Sequence, residues 1–497
     1  MEMLKYICSS VGMTTVILCL VILLALRVIF KARYLPPGPW GFPWLGMVPY
    51  FWLVGRLDGV QRHEALAHLA ARYGKVFSFT VLGKLVLVLS NKEAVEEVFR
   101  RQELNDRPKV WIKNGPKGEG LATASGEAWK QQRAFTVRIL DKFGVGKPAF
   151  EEKIAREARS LLSVIAKKEG QSFDPKHLLM LCVSNVITEL LFSTKHEYGD
   201  ADYMKHLDAI REITHLMGSS GAANSVYLLS HIPTPSRIRL AELLSYEANT
   251  IEGMIKTHLD ILDRGNLRDY LDEYLNEMLS TCEEGLQSEI SRENLNRNLS
   301  HLFLAGTENI STTLRWSLLF MIGKPDVQAR VQAELDRVVG RERLPTLADE
   351  PSLPYTRATM LEIQRAASTA ALGAAHRSSR SFSYRGWTIP ADTTVICNVW
   401  AIHNDPEIWQ DPAEFKPERF LGEDNEIIKD ACLIPFSAGN RVCVGRHLAR
   451  MEIFVFFSHL MHRFHFRKVG NSPVSFQGHG SFAREPLDFQ VEVTERK

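Results

Sequence analysis

Near the C-terminal end of the chain stands Phe436-Ser437-Ala438-Gly439-Asn440-Arg441-Val442-Cys443-Val444-Gly445, which runs into the helix-like segment Arg446-His447-Leu448-Ala449-Arg450-Met451-Glu452. A cysteine just ahead of a helix meets free backbone N–H groups and the positive end of the helix dipole, and both favour the thiolate, the form that binds metals. Gly439 and Gly445 allow the backbone to turn tightly and lie flat against a planar group where a Cβ would collide. Arg441 offers a planar, permanently charged fork suited to a carboxylate. A lone cysteine is more often a small core hydrophobe. The joint spacing of Phe436, Gly439, Arg441, Cys443 and Gly445 instead reads as a loop whose Cys443 is an axial thiolate ligand to haem iron, with Arg441 on a propionate.

A second polar stretch, Ala305-Gly306-Thr307-Glu308-Asn309-Ile310-Ser311-Thr312-Thr313, sits in the middle of a run from Ser291 to Ile322 that reads as one helix. At about thirty residues and roughly 45 Å it is long enough to cross a whole domain. Its small residues let a flat cofactor or dioxygen approach the backbone. Glu308 is a candidate proton source, and Asn309 carries both a donor and an acceptor. A polar patch in a core helix is the plain alternative. Trp129 and Arg133 stand four apart and share a helix face, while Glu362 and Arg365 lie one turn apart and could form either a buried pair or a solvated one.

With these residues in view, the cysteine loop resembles the haem-binding loop of the cytochrome P450 superfamily, and the likeness extends over most of the chain. The resemblance implies that Trp129, Arg133, Arg107 and His376 join Arg441 around the haem propionates, and that Arg419 completes a Glu-Arg-Arg network with Glu362 and Arg365. The family's helix pattern A/G-G-x-D/E-T-T/S is matched by Ala305, Gly306 and Glu308, with Thr307 at the free position. Asn309 and Ile310 depart from it. Asn309 stands where the family usually has a threonine that holds a proton-donating water, so Gly306, Thr307, Glu308 and Asn309 are the expected catalytic stretch. Arg268-Asp269-Tyr270-Leu271-Asp272-Glu273-Tyr274-Leu275 resembles the microsomal branch of drug- and steroid-metabolising members. Residues 150–265 correspond to a mobile lid, and Ala371-Leu372-Gly373-Ala374-Ala375 to a pocket wall of small side chains.

The elements that would position these residues can be read in outline. Residues 62 to 73 form an amphipathic helix closed by Gly74, and Val76–Leu82 with Lys84–Ser90 form a β-hairpin. Ser90 and Glu93 make a capping box for a helix over 94–101. Ser383–Ile389 and Val395–Val399 read as short strands. The expected fold is mainly α with a minor β region, the cytochrome P450 fold, preceded by an N-terminal transmembrane helix.

That last element rests on Tyr6 to Leu26, which holds no charged residue, against the roughly 20 apolar residues a bilayer needs. Arg27, Lys31 and Arg33 follow, placing the body in the cytosol. The expected division is residues 1–30 as membrane anchor, 31–46 as a stiff proline-rich hinge, and 47–497 as the haem-thiolate catalytic domain. The 497 residues are 45% hydrophobic with a net charge of +2, which excludes a polyelectrolyte binder of nucleic acid. The seven cysteines form no C-x-x-C pair, so neither a disulfide framework nor a zinc site is indicated.

The function implied by the resemblance is a monooxygenase of the endoplasmic reticulum membrane. It would carry haem b, draw on NADPH through NADPH-cytochrome reductase with cytochrome b5 as a further donor, and insert one atom of dioxygen into an apolar steroid, lipid or xenobiotic. No G-x-G-x-x-G unit is evident, so nicotinamide acts through a partner. Lys130, Arg138, Lys142, Arg446 and Arg450 suggest a basic docking face for it. A haem-thiolate isomerase or dehydratase acting on peroxides without a reductase, and a haem-binding sensor or carrier, are the rival readings. NADPH oxidation in the presence of reductase separates them from the first.

Overall fold

The computed structural model describes Thr15 and residues 34–496, apart from residues 43, 58, 111, 114, 116, 220–231, 429–431 and 481–482. Thr15 excepted, the apolar run Tyr6–Leu26 lies outside the described residues, as do Arg27, Lys31, Arg33 and part of the Gly218–Gly221 break. No described helix is long and apolar enough to cross a membrane.

Fifteen helices follow in chain order among the described residues: α1 (Val48–Leu57), α2 (Arg62–Tyr73), α3 (Lys92–Phe99), α4 (Gly120–Thr123), α5 (Gly126–Lys142), α6 (Pro148–Ala166), α7 (Lys176–Phe192), α8 (Ala201–Ser219), α9 (Pro235–Asp260), α10 (Tyr270–Glu283), α11 (Arg292–Gly323), α12 (Pro325–Val339), α13 (Pro354–Ala367), α14 (Val399–His403) and α15 (Arg446–Arg463). The strands are short: β1 (Val76–Val81), β2 (Lys84–Leu89), β3 (Ser172–Phe173), β4 (His376–Arg377), β5 (Phe382–Tyr384), β6 (Trp387–Ile389), β7 (Thr394–Cys397), β8 (Phe464–Lys468), β9 (Gly478–His479), β10 (Glu485–Pro486) and β11 (Val491–Glu495).

A helix buried on every side belongs at the centre of a large core, and α7, α11 and α15 all have this character over most of their length. Ser291 caps α11 by accepting the Asn294 N–H, and Pro325, at the start of α12, gives the chain a fixed φ where the next helix begins. Where α11 meets α7 the approach is close. A Cβ on Gly306 would come within 2.6 Å of Ile187 Cδ1, so the space that glycine leaves is used for helix packing. The expectation that Gly306 opens the backbone to a cofactor is corrected accordingly.

The largest sheet has the order β1-β2-β7-β4. β1 and β2 form the expected hairpin, registered from Val76 opposite Leu89 to Val81 opposite Lys84. β7 joins β2 in parallel, and β4 closes the sheet antiparallel with His376 opposite Val395. The expected strand over 383–389 is instead the hairpin β5–β6, because Arg385 and Gly386 both take positive φ and turn the chain. The Ser90–Glu93 capping box does not form. Asn91 is the N-cap residue of α3, and the Ser90 hydroxyl is buried without a partner. The proline-rich segment is extended, as its prolines require, but it is docked on β1: Ser78 N–H donates to Pro37 O and Ser78 Oγ to Pro36 O, both at 2.8 Å.

Candidate active site

The cysteine loop is folded by its own backbone and by α3. Cys443 N–H donates to Phe436 O at 3.1 Å, Val442 N–H to Gly439 O at 3.1 Å, and Asn440 N–H to Phe99 O at 3.1 Å. Gly439 has φ +74°, and a Cβ there would lie 2.1 Å from Phe99 O. Its glycine character thus serves the seat against α3, which corrects the sequence-based expectation of a flat face toward a macrocycle. Gly445 caps α15, and its backbone N–H donates to the Cys443 sulfur. That N–H, Arg133 and Arg446 pull the thiol pKa down, but desolvation by the protein packed around the sulfur outweighs them and raises the thiol above its ordinary value, although Cys443 keeps accessible surface. The helix start alone therefore does not ionise Cys443. A metal cation held by Cys443 would supply the missing charge, since a coordinating thiol is deprotonated outright.

Beside the loop four predicted residues come together. The Arg441 guanidinium lies over the Trp129 ring at 4.1 Å and donates to Asn105 O at 2.7 Å, Leu121 O at 3.4 Å and Ala124 O. Arg107 donates to Ala122 O at 3.2 Å, Ala374 O at 3.1 Å and Ala375 O at 2.9 Å. Arg133, one turn from Trp129 on α5, donates to Val442 O at 2.9 Å. Among the described residues no carboxylate forms an ion pair with any of these three arginines. Burial and mutual repulsion push Arg441 down to about 8 and Arg107 to about 10. A group carrying two carboxylates relieves that excess charge, so these residues fit the propionate edge of a haem. His376 is buried, stacks on Phe99 with ring centroids 3.8 Å apart, and hydrogen-bonds Leu104 O through Nδ1 at 2.7 Å. A carbonyl only accepts, so Nδ1 carries the proton.

On α11, Ala305 and Asn309 are one turn apart and keep accessible surface, as do Ala374, Ala375 and Cys443. Thr307, half a turn away, is fully buried on the opposite side with its hydroxyl unpartnered. Thr307 is thus turned away from the accessible side that Ala305 and Asn309 share, and Glu308 is buried as well. Asn309 Nδ2 donates back to Ala305 O at 3.2 Å, which leaves its second N–H and its amide oxygen to bind water. Glu308 is buried, and burial together with the nearby Glu485 raises its pKa to about 7 against the pull of Arg211, Arg315 and Lys176. Those charges form a network that was not foreseen from sequence. Arg315 and Arg211 both donate to Glu485 Oε2 at 3.1 Å, and Arg315 and Lys176 reach Asp488 Oδ1 at 3.2 and 3.3 Å.

Glu362, Arg365 and Arg419 form the expected triad: Arg365 grips Glu362 with two bonds of 2.7 and 2.8 Å in full burial, and Arg419 Nε reaches Glu362 at 3.2 Å. What sequence reasoning missed is the link to the cysteine loop. Arg365 Nη1 donates to His403 O, and His403 Nε2 accepts the Ile434 N–H at 3.0 Å, two residues before Phe436. Burial holds His403 neutral, with a pKa of about 3. The basic face is weaker than the residue types suggest, because Lys130, Arg138 and Lys142 pair with Glu127, Glu277 and Glu273.

Residues 36–493 match the family model for cytochrome P450. The chain is 32% identical over 494 residues to cytochrome P450 2J5 of Mus musculus, covering 97% of this chain and 96% of that protein. It is 36% identical over 497 residues to cytochrome P450 2D15 of Canis lupus familiaris, with 97% of each covered. Vitamin D(3) 25-hydroxylase of Sus scrofa is 37% identical over 481 residues, with 94% of each covered. A mainly helical body with small sheets, a long central helix and a cysteine loop at the start of α15 is the frame of a haem-thiolate monooxygenase. This chain belongs to the cytochrome P450 family: it is an oxidoreductase whose cofactor is thiolate-ligated haem b, with NADPH used through a reductase as is typical of the family.

Proposed function

We propose that the chain is a membrane-associated monooxygenase that takes electrons from NADPH-cytochrome reductase and oxidises bulky, mostly apolar molecules such as steroids. The observation that carries this reading is the Cys443 loop set beside Arg107, Arg133 and Arg441, cations with no described carboxylate partner, of which the segment 120–124 ties Arg107 and Arg441 to α11. Held through Cys443, haem supplies reductive activation of dioxygen. The arginines, with Trp129 and His376 beside them, hold its carboxylates. Glu308 stores a proton at neutral pH, and Asn309 Oδ1 orients the water that carries it. Ala374 and Ala375 leave room for a large substrate, and the similarity to the vitamin D(3) 25-hydroxylase of Sus scrofa favours a steroid-like one.

Localisation follows the same reading: residues 1–30 anchor the chain in the endoplasmic reticulum membrane, residues 31–46 connect, and residues 47–497 work in the cytosol. Trp40, Trp44 and Leu57 are 70%, 89% and 71% exposed, and α1 buries no residue. Aromatic side chains of this kind belong at a membrane interface. Cytochrome b5 is a further electron donor, approaching with the reductase over Arg446 and Arg450. Reconstitution with reductase, NADPH, labelled dioxygen and a steroid panel tests the proposal. One labelled oxygen atom per product is expected; rearrangement of a peroxide with no NADPH consumed would establish the isomerase reading instead.

A further inference from the structure

Residues 120–124 sit between α11 and the arginine group, and their backbone faces both. α4 is a single turn, so its leading N–H groups have no partner inside it. Side chains of α11 take them: Gly120 N–H donates to Asn294 Oδ1 at 2.7 Å, Leu121 N–H to Asn298 Oδ1 at 2.7 Å, and Ala122 N–H to His301 Nδ1 at 3.4 Å. Positions 294, 298 and 301 are four and three apart, so the acceptors form one stripe. The carbonyls of the same segment serve the other side. Arg441 takes Leu121 O and Ala124 O, and Arg107 takes Ala122 O.

The acceptors are themselves held in orientation. Asn298 Nδ2 donates to Gln132 Oε1 at 2.6 Å, Gln132 Nε2 donates to Glu289 O at 2.6 Å, and Asn294 Nδ2 donates to the same carbonyl at 2.9 Å. With their amide nitrogens committed there, both asparagines must turn oxygen toward α4. Burial and Arg297 hold His301 neutral, with a pKa of about 4, so its Nδ1 can accept. The fit is tight: Gly120 takes φ +74°, and a Cβ there would lie 2.7 Å from Arg297 Cβ and 2.9 Å from His301 Nδ1.

We infer that Asn294, Asn298 and His301 are positioning residues: through the N–H groups of residues 120–122 they set the carbonyls that aim Arg441 and Arg107 at the cofactor's carboxylates. This rests on the reading of those arginines given above. The test uses the haem-loaded full chain and two readouts besides turnover, amide exchange over residues 120–124 and the rate of haem transfer to excess apomyoglobin. Asn294→Ala with Asn298→Ala is expected to speed exchange there about ten-fold, as loss of two buried acceptors opens the turn. Haem transfer should accelerate several-fold. Should the double variant not fold, Asn294→Ala alone is read in the same way. Exchange that is unchanged, or that rises with no change in haem transfer, overturns the inference. Arg441→Leu separates the two readings: if it leaves haem transfer unchanged, the role given to the arginine itself is wrong; if it speeds transfer while the asparagine variants do not, only the positioning role fails.

Discussion

At the scale of single residues the centre of the account is the pair Glu308 and Asn309. A buried carboxyl whose pKa is about 7 in the folded chain, against 4.5 unperturbed, keeps its proton through most of the neutral range. Below the unfolded value both states are protonated and the group costs nothing. As pH rises from there to about 7 the unfolded chain releases the proton first, so stability falls across that window and then levels. Glu308→Gln removes this dependence, and denaturant titrations above pH 7 should find it more stable than wild type by on the order of 2–3 kcal/mol, with no gain near pH 4. Product formed per NADPH should fall in the wild type as pH passes about 7 and be low and flat in Glu308→Gln. Asn309 makes a separate prediction. One of its two amide N–H donors goes to Ala305 O, so the amide oxygen and the second N–H can hold water. Asn309→Ala should raise peroxide release per NADPH several-fold, as loss of a positioned proton donor does, whereas Asn309→Thr should keep or improve coupling. Equal coupling in wild type and Asn309→Ala would remove Asn309 from the proton path.

At the scale of elements, the Glu362–Arg365–Arg419 triad acts as a lock on the cysteine loop, because His403 passes its geometry on to Ile434. Deleting one member of a fully buried pair leaves the other charge stranded, so Glu362→Ala should cost about 3–5 kcal/mol in thermal or denaturant unfolding. Arg419→Lys, at the rim, should cost much less. This is also where the reach of sequence reasoning ends. The hairpin β1–β2, the extent of α11 and the nearness of Glu362 to Arg365 were legible because periodicity, turn residues and i,i+3 spacing are local signals, whereas Arg419 was placed with them by the family resemblance. His403 was not, since a histidine that links Arg365 to Ile434 depends on contacts across about thirty or more intervening residues. The role of Gly306 was misread for the same reason: its glycine answers to Ile187 on α7, a neighbour that no local pattern reveals. The asparagine stripe on α11 did carry a local sign, three polar residues on one helix face, but their partner is a four-residue helix too short to be foreseen.

At the scale of the whole molecule, the exposed aromatic residues Trp40, Trp44 and Trp52 follow, in sequence, the apolar run Tyr6–Leu26. In the chain shortened to residues 34–497, where the proposed anchor no longer dominates, replacing Trp40, Trp44 and Trp52 with serine should weaken partitioning to phosphatidylcholine vesicles at least several-fold, since aromatic rings prefer the headgroup level; unchanged co-sedimentation would move the interfacial contact elsewhere. Every part of the account converges on the sulfur of Cys443, at the start of α15 and among cations that no described carboxylate pairs with. The most direct test is the absorption spectrum of the dithionite-reduced, carbon monoxide-treated protein. The account predicts the red-shifted Soret band of a thiolate-ligated haem in the wild type and its loss in Cys443→Ala, whereas a histidine-type carbonyl spectrum in the wild type, or a thiolate band that survives Cys443→Ala, would contradict it.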